Sequence, residues 1–475
     1  MKRLLLSLCL FACLPTLGSL QNKAQEGIAK VSPDSIAAVS DSIRRDSLSE
    51  AEATPTESIL PERSEADSLT TEWDASLYLP PDSLFLEGFP RVSLLTCSPA
   101  AKVWQQYGHT ALRYEDPSEN IDVVFNYGLF SFATPHFIWR FCTGQTDYML
   151  GAEEFSSFEE EYMERGSPIV VQVLNMTPAE VARFWTLITE NCRPTNRVYR
   201  YNFLYKNCST MARDIALQSI EGRLVPPADD SLTLRQILHS FNSPYPWTSF
   251  GIDLLLGYEV DRPVSNAQAE FAPELVMRHW ALSKRTGFSD GLAQDSLSQD
   301  EALLPWVKGQ TRIIPEKPMA EPFHFPLTPM QMMILVLLLT AIVCTLELLT
   351  EHVHWWYDLI LYGVQGVAGI IIFFLFFFSA HPAVGTNMLV FLFNPIILFL
   401  LPIMIVRTIR HKSVLFFCWT ELALTAAFAS AVLIAHQSVP IALWIFVGAL
   451  LLRTAHHLIL RNYINAHMRK EKKIF

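Results

Sequence analysis

Residues 201–214 read YNFLYKNCSTMARD, and the rest of the chain can be interpreted from them. An aromatic, strand-like run ends at Asn207, whose amide suits a helix N-cap, and Cys208 then occupies the first helical turn. The unsatisfied N–H groups and the positive end of the helix dipole favour thiolate over thiol at that position. The pattern predicts a strand, a capped helix and a reactive thiol where the two meet.

A thiol nucleophile needs a general base, and a histidine motif upstream offers one. Residues 107–113 read YGHTALR, and two strand-like runs, 109–114 and 121–129, flank the turn cluster EDPSEN. A hairpin centred between Pro117 and Ser118 places Asn126 directly opposite His109. We therefore predict His109 as the base and Asn126 as the amide that orients its ring, with N–H groups at the helix start receiving the oxyanion.

Three further side chains are predicted to bind substrate. Arg113 shares the strand face of His109 and meets either a phosphate or a neighbouring acid. Tyr107 belongs to the histidine motif itself. His381 lies in the loop between two apolar stretches, on the same side of the membrane as the soluble domain, from which it can reach bound substrate. The alternative is a structural role at the end of a helix.

Composition excludes several classes of function. The net charge is −11, but residues 21–75 hold twelve acidic and five basic side chains, so the remainder is nearly neutral and has no basic stripe for nucleic acid. No Cys/His spacing predicts a metal site, and no cofactor is expected. Among Cys97, Cys142 and Cys192, either two form a disulfide or all three are buried thiols.

The chain changes character several times along its length. A basic start and a short apolar run indicate export, and an acidic segment poor in aromatics cannot form a core. Later apolar stretches each reach the roughly 20 residues that a membrane span needs. The predicted units are an export signal (1–20), a disordered acidic tether (21–75), a catalytic domain (76–290), a linker (291–326), a five-span transmembrane domain (327–461) and a basic tail (462–475).

Charge predicts the orientation of the spans. Basic residues cluster in the loop near 407–412 and in the tail, whereas the loops 379–388 and 436–439 contain no Lys or Arg. The positive-inside rule then predicts a membrane protein with its catalytic domain outside the cytoplasm and its C-terminus in the cytoplasm. Glu421 and Arg453 lie at similar depth, so we expect an ion pair between two spans.

The motifs together resemble the Lnb family. The resemblance rests on residues 107–113, on NYGLF at 126–130 and on YNFLYKNCST at 201–210, followed by the block of spans, and it covers about 80–460. It implies an α+β papain-like domain, a circularly permuted NlpC/P60 domain whose His strand precedes its Cys helix as in lecithin:retinol acyltransferase, followed by an all-α five-helix transmembrane domain.

The resemblance also implies a place in the bacterial inner membrane, with the catalytic domain in the periplasm, and an activity. An acyl chain moves from a membrane phospholipid through a Cys208 thioester to the α-amine of diacylglyceryl-Cys lipoproteins. Two alternatives fit the same residues. One is a membrane-anchored thiol amidase, peptidase or phospholipase with a different acceptor, and the other is a non-enzymatic receptor with a structural Cys208. Five spans exceed what an anchor requires, which favours the acyltransferase.

Overall fold

A computed structural model describes residues 89–100, 105–131, 133–286, 303–314, 325–381 and 383–471, with main chain alone from 460 onward. The predicted export signal and acidic tether lie outside the described residues. So do the last four residues of the basic tail.

An antiparallel sheet of seven strands forms the centre of the soluble domain, in the order β10-β5-β1-β2-β3-β4-β6. A small sheet, β7-β8-β9, lies beside it. The strands are β1 (Arg91–Cys97), β2 (His109–Asp116), β3 (Ile121–Leu129), β4 (Asp147–Glu154), β5 (Ile169–Leu174), β6 (Val198–Arg200), β7 (Leu224–Val225), β8 (Lys284–Arg285), β9 (Leu304–Pro305) and β10 (Val307–Arg312).

Helices cover both faces of the large sheet, so its central strands are apolar on both sides. In β1, Leu94 belongs to the core that contains Phe184, whereas Leu95 belongs to the core that contains Phe158 on the other face. The helices are α1 (Phe137–Cys142), α2 (Phe155–Arg165), α3 (Pro178–Cys192), α4 (Cys208–Ser219), α5 (Leu234–Asn242), α6 (Pro246–Leu255), α7 (Asn266–Ala269) and α8 (Pro273–Leu282), with a 3-10 turn at Tyr258–Asp261.

The linker predicted at 291–326 needs a correction. Strand β10 lies within that range and pairs with β5, so the soluble domain extends past residue 290. Gln172 donates a hydrogen bond to Gln310 across this pairing at 2.9 Å, and Trp306 is fully buried against Trp280. The composition of the segment is polar because β10 is an edge strand. Its structure comes from pairing with β5, which local sequence does not encode.

Within the part of the chain that the structure describes, five helices are long and apolar enough to cross a membrane, which confirms the five predicted spans. They are α9 (Pro329–Thr350), α10 (Trp355–Phe378), the pair α11 (Leu389–Leu392) and α12 (Pro395–Ile409), α13 (Leu415–Ala435) and α14 (Ile441–Glu471). The third span is broken between α11 and α12, where Asn394 caps α12 through a 3.1 Å hydrogen bond from the Ile396 N–H. Gly369 of α10 lets the broken backbone approach, because a Cβ there would lie 2.7 Å from the Asn394 carbonyl carbon.

The predicted ion pair between Glu421 and Arg453 is wrong. The Arg453 guanidinium instead lies 2.7 Å from Glu347 and 2.6 Å from Asp358, and all three side chains are fully buried. Glu421 accepts a 2.9 Å hydrogen bond from Gln365. The depth of a residue along a span follows from the sequence, but the direction in which its side chain points depends on how the helices pack. Here α14, which carries Arg453, packs against α9, which carries Glu347.

The soluble domain rests on the outer ends of the spans. The Gly257 N–H donates to the Ala383 carbonyl at 2.7 Å, and Asn387 donates to the Leu254 carbonyl at 2.8 Å. At Gly257 the two backbones nearly touch, since an added Cβ would lie 2.2 Å from the Thr386 carbonyl carbon. These contacts hold the domain directly against the membrane-spanning helices.

Candidate active site

Asn207 positions Cys208 at the start of α4. Its side-chain oxygen accepts hydrogen bonds from the Ser209 and Thr210 N–H groups, both at 3.0 Å, and its own N–H donates to the Thr210 hydroxyl at 2.9 Å. This reciprocal cap confirms the predicted helix start. The cap also reduces the number of N–H groups that can bind an oxyanion. It occupies the Ser209 and Thr210 donors, so the Cys208 N–H is the helix-start donor left for that role.

His109, the predicted base, begins β2. Its Nε2 lies 2.6 Å from the side-chain oxygen of Asn126, the predicted partner. The hairpin register differs from the prediction by two residues, since Leu112 pairs with Phe125 and Asn126 therefore falls opposite Ala111. A shift of two keeps every side chain on the same face of a strand, so Asn126 still reaches His109 as a diagonal neighbour.

The partners fix which ring nitrogen faces the thiol. An amide oxygen can only accept a hydrogen bond, so His109 Nε2–H donates to Asn126 and leaves Nδ1 for the hydrogen bond with Cys208. Gly128 stands beside both groups with φ +98°, and a Cβ there would lie 3.6 Å from the Cys208 Cβ and 4.0 Å from the His109 Cε1. The glycine leaves room for the partly buried thiol and imidazole to meet.

The electrostatics shift the pKa values of Cys208 and His109 toward each other. Burial raises the pKa of the Cys208 thiol. The His109 charge, the hydrogen bond with His109 and the Thr110 N–H together lower the pKa by more than burial raises it, so the net pKa falls below its ordinary value. Burial lowers the pKa of His109, whereas the Cys208 charge and the hydrogen bonds with Cys208 and Asn126 raise it, and the net pKa rises. Such a pair can attack a carbonyl carbon and then protonate the leaving group.

A second cysteine lies directly opposite His109 on the neighbouring strand. Cys97 pairs with His109 in the register of β1 and β2 and is almost fully buried. Burial raises its pKa more than the hydrogen bond with Tyr162 lowers it, so the net pKa lies far above the ordinary value. Cys97 and Cys192 are buried free thiols, as in the alternative without a disulfide.

Comparison with known proteins identifies the family. The family model described as Lnb N-terminal periplasmic domain matches residues 90–239, and the model described as Lnb transmembrane domain matches residues 320–463. Together they cover more than half of the chain. The chain belongs to the Lnb family. None of the curated proteins or solved structures compared with it matches.

Lnb membership confirms the family predicted from the three motifs. It also agrees with the observed layout of a soluble α/β domain followed by five apolar helices. The chain is therefore an inner-membrane protein with a periplasmic N-terminal domain, of the lipoprotein N-acyltransferase type.

The site of this Lnb protein includes groups that sequence reasoning missed. The amide of Asn126 donates to Glu153 on β4 at 3.5 Å, which extends the chain of partners behind His109. Burial raises the pKa of Glu153 above its ordinary value, although Asn126 and the His109 charge lower it in part. The Thr110 and Ser209 hydroxyls lie 2.9 Å apart and join β2 to α4. No local motif marks these contacts, because they arise from strand pairing and helix docking.

The three predicted substrate ligands all have protein partners. Arg113 forms a two-pronged salt bridge with Asp122, at 2.7 and 2.6 Å, and its guanidinium stacks on Phe155. These are the contacts of its structural alternative. The Tyr107 hydroxyl accepts a 2.7 Å hydrogen bond from Asn242.

His381 donates from Nε2 to the Phe141 carbonyl of α1 at 2.9 Å, and so joins the Lnb membrane and soluble domains. Substrate binding by Tyr107, Arg113 and His381 stays a prediction. Within the described ranges, no group of three or more His, Cys, Asp or Glu side chains could hold a metal ion.

Proposed function

We propose that this Lnb protein transfers an acyl chain from a membrane phospholipid, through a thioester on Cys208, to the α-amine of a diacylglyceryl-Cys lipoprotein. The observation that carries the proposal is the position of His109 between Cys208 and Asn126, with the pKa of the thiol lowered and that of the imidazole raised. Family membership supports the lipoprotein acyltransferase type. The choice of donor and acceptor, and the roles of the three residues, are our proposal.

In the first half-reaction, the Cys208 thiolate attacks the carbonyl carbon of a phospholipid ester. Negative charge develops on the carbonyl oxygen, within reach of the Cys208 N–H at the positive end of α4. As the C–O bond breaks, the His109 imidazolium gives its proton to the departing glycerol oxygen. The products are a lysophospholipid and a Cys208 thioester, with His109 neutral.

In the second half-reaction, the lipoprotein amine attacks the thioester carbonyl carbon. Neutral His109 takes a proton from the amine as the new C–N bond forms, and the C–S bond breaks to release the thiolate. Asn126 holds the ring by accepting from Nε2–H throughout, which keeps Nδ1 available for each proton transfer. The enzyme returns to its starting ion pair, and the acceptor carries an amide.

The architecture supports lipid substrates. Both proposed substrates are anchored in the outer leaflet by acyl chains, and the soluble domain is docked on the spans by contacts such as Gly257 with Ala383. A thiol held next to the bilayer reaches these lipids without extracting them into water. We also propose that the C-terminus lies in the cytoplasm, which the five spans after a periplasmic domain and the positive-inside rule both support.

The test uses purified full-length protein in vesicles that contain phospholipid and a synthetic diacylated lipopeptide. We expect the lipopeptide to gain the mass of one acyl chain on its amine, and a hydroxylamine-sensitive acyl adduct to form on Cys208 when the lipopeptide is omitted. Free fatty acid as the sole product indicates a phospholipase, and cleavage of cell-wall peptides indicates an amidase. Wild-type transfer by folded Cys208→Ala protein would contradict the mechanism.

A further inference from the structure

Four aromatic side chains form a stacked row beside the candidate active site. The Phe137 ring of α1 stacks on Phe130 with centroids 5.5 Å apart and planes 16° from parallel. Phe130 stacks on Tyr148 at 4.9 Å and 23°, and Tyr148 stacks on Tyr201 at 4.0 Å and 15°. We call Phe137, Phe130, Tyr148 and Tyr201 the aromatic ladder.

One end of the ladder, Tyr201, shares a hydrophobic core with the thiol. Phe130 follows two residues after Gly128, the glycine whose added Cβ would contact the Cys208 Cβ at 3.6 Å. Tyr201 and Cys208 pack against the same hydrophobic core. Burial raises the pKa of the Tyr201 hydroxyl, and charge on Cys208 raises it further.

The other end of the ladder lies at the membrane. Helix α1 buries none of its side chains, and its apolar residues Ile138, Trp139 and Phe141 are exposed by 48%, 59% and 46%. The Trp139 ring lies 5.0 Å from Phe374, in the last turns of the span α10. The Ala380 N–H just beyond that span donates to the Thr143 carbonyl at 3.0 Å, which fixes α1 at the outer end of α10.

Lipid is the partner that suits this surface. The exposed rings of α1 continue onto Phe377 and Phe378 of α10, which are themselves exposed. Aromatic side chains at the end of a span lie at the level of the lipid headgroups. Arg140 of α1 and Arg200 share the single carboxylate of Asp147 at 2.6 and 2.7 Å, which leaves this group of three with a net positive charge that suits a phosphate.

We propose that α1 and the aromatic ladder guide the acyl chain of the donor phospholipid from the outer leaflet to Cys208. This role of the ladder rests on the proposed function, but binding of an acyl chain to the ladder can be measured without acyl transfer. Flat rings stacked in one direction give a continuous apolar wall, which an acyl chain can contact along its length without needing hydrogen bonds. The chain enters between the exposed rings of α1 and the end of α10, and its ester carbonyl meets the sulfur.

Photolabelling tests the binding path directly. Full-length protein in vesicles of phosphatidylethanolamine and phosphatidylglycerol receives a trace of phospholipid with a diazirine in its acyl chain. We expect labelled peptides from 130–148 and around Tyr201, both in the wild type and in the Cys208→Ala variant. Label confined to the five spans would overturn the ladder. Label on the ladder without a Cys208 acyl adduct in the wild type would overturn the transferase and leave the binding path standing.

Variants test whether the ladder selects long chains. We expect Phe137→Ala to lower Cys208 acylation by long-chain phospholipid about tenfold relative to acylation by a water-soluble acetyl thioester. Trp139→Ala should lower the same ratio, and its exposed position avoids a folding defect. Phe89→Ala is the matched control, because Phe89 is an exposed aromatic residue before β1, at the end of that strand away from His109. An unchanged ratio in both the Phe137→Ala and the Trp139→Ala variant would contradict the proposal.

Discussion

The surroundings of Cys208 and of Cys97 differ, although both cysteines lie next to His109. Cys97 ends β1, pairs with His109 across the sheet and is covered by the apolar core beneath α2. Cys208 begins α4, hydrogen-bonds with the His109 ring and receives the Thr110 N–H. Burial opposes the charged form at both sites, yet only Cys208 has a pKa below its ordinary value.

This difference shows what makes a thiol reactive in this fold. Closeness to a histidine is shared by both cysteines and does not separate them. Groups that point at the sulfur and stabilise its negative charge are found at Cys208, where they outweigh the cost of burial. The substitutions below weaken or remove this contrast, beginning with the change of largest effect.

Cys208→Ala should abolish acyl transfer, with a loss of at least about 10⁴-fold, because no other group can form the thioester. Cys97→Ala should keep most of the activity and lose only stability, since it removes a buried sulfur from the core. Lipopeptide acylation and thermal unfolding of both variants are the measurements. Greater loss of activity in the Cys97 variant would reverse our assignment of the two thiols.

His109→Ala should lower transfer by about 10²- to 10⁴-fold, because both proton transfers lose their carrier. The variant should still fold and insert, and circular dichroism with a detergent-extraction profile checks this. A His109→Gln variant offers a matched control, since it preserves volume and hydrogen bonding without a titratable ring. Activity near the wild-type level in either variant would remove His109 from the mechanism.

The pH dependence of alkylation should separate the two thiols. The Cys208 pKa is lowered, so its thiolate persists to lower pH than an ordinary thiol, and the rate of iodoacetamide alkylation falls only as pH drops through that lowered value. In His109→Ala the midpoint of Cys208 alkylation should move to higher pH, because the charge and hydrogen bond of His109 no longer oppose the effect of burial on the thiol pKa. Cys97 should stay unreactive at neutral pH, because its pKa is raised. Mass spectrometry of each cysteine peptide between about pH 5 and 10 records both profiles.

Asn126→Ala should reduce transfer about tenfold, because the ring loses its orienting acceptor but keeps its proton-transfer role. Glu153→Gln should have the smallest effect, about threefold, since it acts on His109 only through Asn126 at 3.5 Å. Both should shift the His109 midpoint in the pH profile downward, because each removes support for the imidazolium. Unchanged profiles in both variants would show that this chain of partners does not act on the base.

Local sequence rules predicted the parts of the site that depend on neighbouring residues. Asn207 before Cys208 is a capping pattern, and the structure contains that cap. Asn126 was found through a hairpin whose register was wrong by two residues, and the prediction survived because strand faces repeat every two residues.

The remaining features depend on contacts between distant segments. Glu153 comes from a strand that pairs with β3 but lies far from the motifs in sequence. Strand β10 exists because β5 offers it an edge. Arg453 contacts Glu347 and Asp358 because three helices turn those faces toward one another, and hydropathy specifies depth but not rotation.

The close contact between Gly257 and Thr386 has a kinetic consequence for the proposed transferase. Backbones this near leave the domain little freedom to tilt, so the sulfur stays at one height above the bilayer. Donor and acceptor must then bind in turn at the same position beside the sulfur, and the lysophospholipid must dissociate before the lipoprotein binds. Plots of reciprocal rate against reciprocal lipopeptide concentration should therefore remain parallel as the phospholipid concentration is varied.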